Sequence, residues 1–388
     1  MRRTRIEIMA IEIKEIALND KKGKKKFFKF LIDMYKHNKY AAPNLYMDEF
    51  AEFDPEVNDA FRFADCRMFM AYKDGKPAGR IAGIWHRGVN EKNNVKQLRF
   101  TRFDVIDDFE VTQKLFDTLK QWARELGMTE IIGPMSFSDF NEEGMLIEGF
   151  DQDSTYIELY NYPYYVQHME KLGAYKVVDW NCYRITVPSP DDENVKRLQR
   201  MSEVIQKRYG YTVLDVAKTP KKQLDGYIME ALHVLDEAFR NLYGTSPLSE
   251  KQMKREMDTI YSVLKPEYAT VVLQEGKVIG YGFMWPGMSN VLRKARGNIV
   301  PCGIIPYIKA MHRPEVAELG SIGVKNEHLK RGVTAIIMAH CVEGLWKNGT
   351  KYLETGPELE ENHNVQNLWK NFERTLNKKH RCWGLKVD

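Results

Sequence analysis

The sequence is poor in the features that usually classify a protein at first sight. Its five cysteines, Cys66, Cys182, Cys302, Cys341 and Cys382, are odd in number, far apart and never in a Cys-x-x-Cys pair. A disulfide framework is thereby excluded, and a reducing, cytoplasmic location is expected. Long apolar runs are missing too: the longest uncharged stretch, 278–292, has 15 residues and is broken by Gly280, Gly282, Pro286 and Gly287. It is too short to span a bilayer, so at most peripheral membrane contact is expected. The basic opening Met1 to Ala10 runs into Glu12 and Lys14 and contains Glu7, so no signal-peptide core forms, and Met9 is a second candidate start. An excess of one charge is also lacking. Lys plus Arg number 58 against 54 Asp plus Glu, a net +4 over 388 residues, and no specific nucleic-acid partner is expected.

What is present is a globular composition, 43% apolar, 29% charged and 12% aromatic, at a length for two or three domains. Strand-like Ile11 to Ala17 precedes a basic amphipathic helix, Lys22 to Asn38, whose Phe27, Phe28, Leu31, Met34 and Tyr35 cluster on one side. A hairpin around Asp74-Gly75, a strand from Gln97, a helix over 110–126, a short strand Glu130 to Gly133, a helix ending at Gly173 and a strand from Tyr175 follow. The order then recurs: a strand from Tyr211, helix 222–242, a hairpin around Glu275-Gly276, a strand Ala317 to Val324, helix 332–346, strand 351–355, helix 365–372 and a final strand. The repeat predicts two α/β units of roughly 180 residues, 1–188 and 205–388, joined by a linker at 189–204.

No Walker A loop, His-Glu-x-x-His, Gly-x-Ser-x-Gly or dinucleotide glycine fingerprint occurs. No metal is expected. One arrangement is informative: the strand ending at Val324 passes through Lys325 to Arg331 and enters an apolar helix at Gly332, Val333 and Thr334. First-turn amides of a helix lack internal partners and sum with the macrodipole, while Lys330 and Arg331 add positive charge, so a pyrophosphate fits there. An ordinary turn with solvated basic residues would read the same way.

Segment 317–346 resembles the fourth strand, pyrophosphate turn and helix of the GNAT superfamily, the Gcn5-related acyl-CoA N-acyltransferases. Of the family's Gln/Arg-x-x-Gly-x-Gly/Ala turn, Leu329, Gly332 and Thr334 stand at the aligned positions and only Gly332 agrees. Asn364-Val365-Gln366-Asn367-Leu368-Trp369 is similar to the family's Asn-x-x-x-Leu-Tyr helix. Gly79-Arg80-Ile81-Ala82, Glu142 to Phe150 and Asn161-Tyr162-Pro163-Tyr164-Tyr165 resemble a bacterial family of tandem-GNAT proteins. The resemblance implies two tandem GNAT-like domains, each a mixed, mostly antiparallel sheet flanked by helices. It also implies acyl-CoA, acetyl or longer, as co-substrate, held by Val324, Leu329, Lys330, Arg331, Gly332, Val333, Thr334, Asn364 and Trp369. The first unit has Asp107 and Asp108 where the basic turn would be, so its phosphate site is read as degenerate.

An aliphatic amine of pKa near 10 is about one part in a thousand neutral at pH 7, so acyl transfer needs a base. Glu318, 14 residues before Gly332, stands at the family's spacing for that base. A glutamate on the solvent side of the strand, or one paired with Arg313, is the bland alternative. A bulged fourth strand supplies an oxyanion N–H in the family, here by spacing Ile322, with Gly320 and Gly323 tolerating the distortion. Trp369 replaces the family's tyrosine acid, which leaves water, Tyr352 or His363.

The apolar insertion 285–314 suggests a bulky or lipid-like amine acceptor, although packing between the units is an equal account. Asp139, Asn141, Glu142, Glu143 and Glu148 are either amine-binding or solvated loop charge, and the basic first helix either rests on anionic lipid or is simply solvated. The expected function is N-acyl transfer from acyl-CoA to a small-molecule or lipid-like amine by a monomer or homodimer. The alternatives are a Fem-type aminoacyl transferase using charged tRNA and a non-catalytic acyl-CoA-binding scaffold.

Overall fold

The structure, a computed structural model, describes residues 11–138, 141–240 and 242–387. Asp139 and the two candidate start methionines lie outside them. The chain forms five strands, β1 (Ile11–Ile16), β2 (Ala64–Lys73), β3 (Lys76–His86), β4 (Gln97–Val105) and β5 (Glu130–Gly133), then β6 (Met145–Glu148) and β7 (Tyr175–Thr186). The second half repeats this with β8 (Tyr211–Val213), β9 (Ala269–Gln274), β10 (Lys277–Pro286), β11 (Val316–Val324), β12 (Tyr352–Glu354), β13 (Glu358–Leu359) and β14 (Arg374–Lys386).

All these strands join one sheet in the order β1-β2-β3-β4-β5-β14-β7-β12-β11-β10-β9-β8, with β6 on β14 and β13 on β7. The tandem plan is there, yet the last strands are exchanged. β7, from the first half, lies antiparallel to β12, and β14, from the second, lies antiparallel to β5; the two pair with each other at the centre. A division of the chain at 188 therefore cuts across both half-sheets. The stretch 189–204, read as a linker, instead supplies most of a 17-residue helix, Glu193–Tyr209, capped by Asp192 and packed on the helix Val333–Lys347.

The alternating faces of the strands explain the layers. Helix Phe109–Glu125 buries Val111, Leu115, Phe116, Leu119 and Trp122 on β2 to β5, and Val333–Lys347 buries Val333, Ile336, Ile337 and Cys341 on the second half-sheet. Helix Lys21–Tyr35 packs Phe27 and Phe28 inside, and even its Lys24 is buried, with Nζ donating to the Phe53 carbonyl. Helix Lys221–Phe239 covers the other face of the second half-sheet, with helix Glu250–Val263 beside it. The segment expected as helix 365–372 is shorter, a turn of helix at His363–Gln366 followed by a 3-10 turn to Trp369.

Between the halves, Lys378 on β14 is buried, with Nζ 2.8 Å from Glu158 and 3.6 Å from Glu354. That ammonium holds the Glu158 carboxyl down at about 2 against the upward push of burial.

Candidate active site

The site begins where two neighbouring strands part. β11 pairs with β12 over Val316 to Glu318, the whole length of β12, and from Leu319 onward its outer edge has no β12 partner. On its inner edge the register with β10 slips at Gly320, between the pairs Met284↔Leu319 and Phe283↔Ser321. A bulge of this kind re-aims the backbone. Glycine is required at the slip, because a Cβ at Gly320 would sit 2.1 Å from the Trp285 ring. The expected distortion of the fourth strand is therefore at Gly320, two residues before Ile322, which is half-buried and paired with Gly282.

A cavity of about 330 Å³ opens at this parting, with Gly320 and Ser321 on one lip and Gly356 and Pro357 on the other. That size lies in the range of small-molecule sites. One stretch of wall is apolar: Leu224, Ile228, Leu232 and Leu235 from Lys221–Phe239, and Ile260 and Val263 from Glu250–Val263. Another stretch is acidic and comes largely from the first half. Asp48, Glu52, Glu142, Glu143 and Glu256 supply five carboxylates there, against the single guanidinium of Arg255, among the described residues.

Behind those carboxylates lies Arg102, whose side chain is fully buried. Its Nε donates to Glu49 at 3.0 Å, one terminal nitrogen reaches Glu52 at 2.6 Å and the other lies 3.1 Å from Glu142. Arg102 sits at φ +50 in the bulge of β4, at the place in the first half-sheet that corresponds to the bulge of β11. The cleft of the first half is thus filled by a side chain, while that of the second is open. One guanidinium does not neutralise the surrounding acids. Burial, reinforced by Glu142 and Glu49, raises Asp48 to about 6, and burial raises Glu52 to about 7. Asn44, also on the wall and 8% exposed, donates its amide to Glu49 and Glu142 and leaves Oδ1 without a partner among the described residues. Asp48 accepts from the Tyr156 hydroxyl at 3.4 Å.

Glu318, the expected base, is buried outside this wall. Its Oε2 accepts from the Trp285 indole at 2.8 Å and the Tyr156 amide at 3.0 Å, and its Oε1 from the Met288 amide at 2.9 Å. Burial still raises it to about 7 against those donors. Its visible work is to tie β11 to the bend after β10 and to the first half.

The phosphate turn differs sharply between the halves. In the first, the Asp108 carboxylate caps helix Phe109–Glu125, accepting from the Glu110 amide at 3.1 Å, and pairs with Lys73. An anion there would meet a carboxylate already in place, so the first half does not fit CoA phosphates. In the second, the helix after Gly332 has no side-chain cap, Gly332 has φ +78, and Lys330 and Arg331 are exposed. These residues fit a pyrophosphate at the helix start, whereas at the head of the turn the Asn326 amide already donates to Glu237 at 3.2 Å.

Around them, Val324 and Val333 are core residues, Thr334 is half-buried and Leu329 is 55% exposed. Asn364 is exposed on its short helical turn. Trp369 is 2% exposed in the core of the second half, its indole donating to Glu358 at 2.8 Å, and it does not line the cavity. Of the acidic motif, Asn141, Glu142 and Glu143 reach the cavity, whereas Glu148 pairs with Lys379 at the surface. Asn44, Asp48, Tyr156, Arg255 and Glu256 were not foreseen.

The acetyltransferase (GNAT) family model matches residues 230–373. Among curated relatives, the chain is 22% identical over 293 residues to the bacterial ceramide synthase of Caulobacter vibrioides, covering 73% of each chain. It is also 22% identical over 292 residues to protein YghO of Escherichia coli, covering 72% of this chain and 70% of that one. Among solved structures, a tandem GNAT protein from the clavulanic acid biosynthesis pathway aligns over 98% of this chain and 99% of its own, with 13% identity and a TM-score of 0.55. The fold is that of tandem GNAT proteins, with a GNAT domain in the second half, a fold that supports acyl transfer from CoA. Among the described residues no helix is long and apolar enough to cross a membrane.

Proposed function

We propose that this chain is an N-acyltransferase that moves an acyl group from a CoA thioester to the amine of a long-chain, lipid-like acceptor. One observation carries the reading: a single cavity at the parting of β11 and β12 joins an apolar wall to an acidic one. An alkyl chain matches the first and an ammonium the second. The relative named as a bacterial ceramide synthase supports it, since a ceramide is the amide of a long-chain amino alcohol.

On this reading the turn 325–334 binds the CoA phosphates through Lys330, Arg331 and the amides after Gly332. The thioester lies at Gly320 and Ser321, where the β11 bulge turns backbone N–H groups toward the developing oxyanion. Asn44 Oδ1 and the Asp48 carboxylate hold the acceptor's ammonium, and Asp48 takes its proton. The amine nitrogen then bonds to the acyl carbon as the C–S bond breaks, and the second proton that it sheds on becoming an amide passes to solvent. The CoA thiol, of pKa about 8.5, leaves as thiolate and takes a proton from solvent without a dedicated acid. Asp48 thus replaces Glu318 as base, and Glu318 positions Trp285 and Tyr156 around the site.

The test is turnover with acyl-CoA of increasing chain length against sphinganine and against short hydrophilic amines, read as amide by mass spectrometry. Amide from sphinganine is the expected product. Acylation of short amines alone would reject the lipid acceptor, and no amide from any pair would reject the reaction.

A further inference from the structure

We infer that the insertion 287–314, between β10 and β11, is a docking surface for an anionic lipid bilayer. It contains the helix Ile304–His312, none of whose residues is fully buried. Val300 is 68% exposed, Ile304 42%, Ile305 76% and Ile308 60%. These are four of the twelve large exposed hydrophobics among the described residues, gathered within nine positions. Single exposed aliphatics are ordinary, but a cluster of this density on one short segment marks a contact surface.

The geometry separates two faces of that helix. Tyr307, Ala310 and Met311 pack inward on the cluster of Trp285, Met288 and Val291, and the Tyr307 hydroxyl donates to the Ser262 carbonyl at 2.6 Å. Ile304, Ile305 and Ile308, at i, i+1 and i+4, occupy the outer face. The inner face is therefore anchored and the outer one is presented.

Charge selects the partner. The connection between β10 and β11 contains Arg293, Lys294, Arg296, Lys309 and Arg313 against one acid, Glu315, which pairs with Lys351 at its far end, in a chain whose charges are otherwise nearly balanced. Arg293 is engaged by Asp153, while Lys294, Arg296, Lys309 and Arg313 are exposed. Exposed isoleucines on a segment with exposed lysine and arginine match a surface with an apolar interior and anionic headgroups. Snorkelling side chains reach the phosphates while the isoleucines enter the acyl boundary.

The surface is also continuous with the cavity. Ser262 follows Ile260 and precedes Val263, both cavity residues, and the Lys265 ammonium donates to the Met311 carbonyl at 2.6 Å. A lipid leaving the bilayer would meet the apolar wall first.

Docking is measurable without acyl-CoA or amine, so it stands or falls apart from the proposed reaction. Cys302 is the exposed cysteine of the segment and the other four are buried, so a polarity-sensitive dye can be attached there. Mixed phosphatidylglycerol and phosphatidylcholine vesicles should blue-shift the dye and sediment the unlabelled full chain; phosphatidylcholine vesicles should do so far more weakly, and added salt should weaken both signals. The variant carrying Ile305→Asp and Ile308→Asp should keep its melting temperature and lose about tenfold or more in partitioning. Equal binding by variant and wild type would overturn the inference, as would no binding by the wild type. A wild-type dimer that the variant dissolves, without vesicle binding, would assign the surface to a second copy of the chain instead.

Discussion

Asp48 and Glu318 are both carboxylates raised by burial, and their neighbours give them different work. Asp48 meets the cavity with a hydroxyl partner at 3.4 Å, whereas Glu318 does not line it and is engaged by three N–H donors, two of them from the cavity residues Trp285 and Tyr156. A base must be ionised, so activity should climb as pH passes through about 6, the value to which Asp48 is raised. Asp48→Asn should remove that limb and lower kcat by about a hundredfold or more, with the fold intact by circular dichroism. Glu318→Gln should instead act on stability, because its amide group brings N–H toward backbone donors, at about 1–3 kcal/mol. The pH dependence follows from the direction of its shift. The folded pKa, about 7, lies above the ordinary 4.5, so the folded state binds the proton more tightly. That contribution is complete below the lower value and is lost as pH rises through the upper one. Glutamine does not titrate, so the gap in melting temperature between wild type and Glu318→Gln should narrow from about pH 5 to about pH 8. Equal activity in Asp48→Asn would return the base to Glu318. The spacing of Glu318 from Gly332 was legible along one strand; Asn44 and Asp48 come from the other half, and no spacing rule links position 48 to position 321.

At the scale of elements, the two helix starts that follow β4 and β11 form a natural comparison. Asp108 satisfies its own helix, and Gly332 leaves its helix start without a side-chain cap. Lys330 and Arg331 are exposed, and Arg331 lies only at the limit of cation–π reach over the Tyr209 ring, so replacing both by alanine should change the melting temperature of the free protein little. The same change should weaken CoA binding by about tenfold or more, since charge-assisted hydrogen bonds are worth about 1.5–3 kcal/mol each. Thermal-shift titration with CoA and with pantetheine separates the parts: the variant should lose the CoA shift and keep whatever pantetheine gives. Unchanged CoA affinity would move the phosphates elsewhere. Most elements flanking this turn were readable, because alternation and helical spacing are strong in β10, β11 and Val333–Lys347. Helix Glu250–Val263 was not, since Met253, Met257, Ile260 and Tyr261 form a thin stripe among charged residues and only Met253 is buried. The helix expected over 365–372 gives way to a turn because Trp369 is drawn into the core by Glu358 and β14 begins at Arg374.

The whole molecule is held together by the exchange of β7 and β14. A strand's pattern records that one face is buried, not which sheet buries it, so the repeat was visible and the crossing was not. The crossing has a consequence for folding. Without β14, β5 keeps only β4 as a neighbour; without β7, β12 keeps only β11. Each half alone would present an unpaired central edge, a template for aggregation. Glu158, which meets the buried Lys378 across the seam, would be left as a carboxylate without its cation, and Lys378 would keep only Glu354, 3.6 Å away in its own half. Fragments 1–190 and 191–388 produced separately should therefore be insoluble or lack a cooperative unfolding transition. Produced together, they should copurify as a one-to-one complex, because the cut falls in the surface stretch before Glu193–Tyr209 and leaves every strand whole. A cooperative transition in either fragment alone would mean that a half can close its own sheet and that the exchange is not needed for folding. In the complex, Lys378→Met should prevent copurification while Lys379→Met, which loses only a surface pair with Glu148, should not.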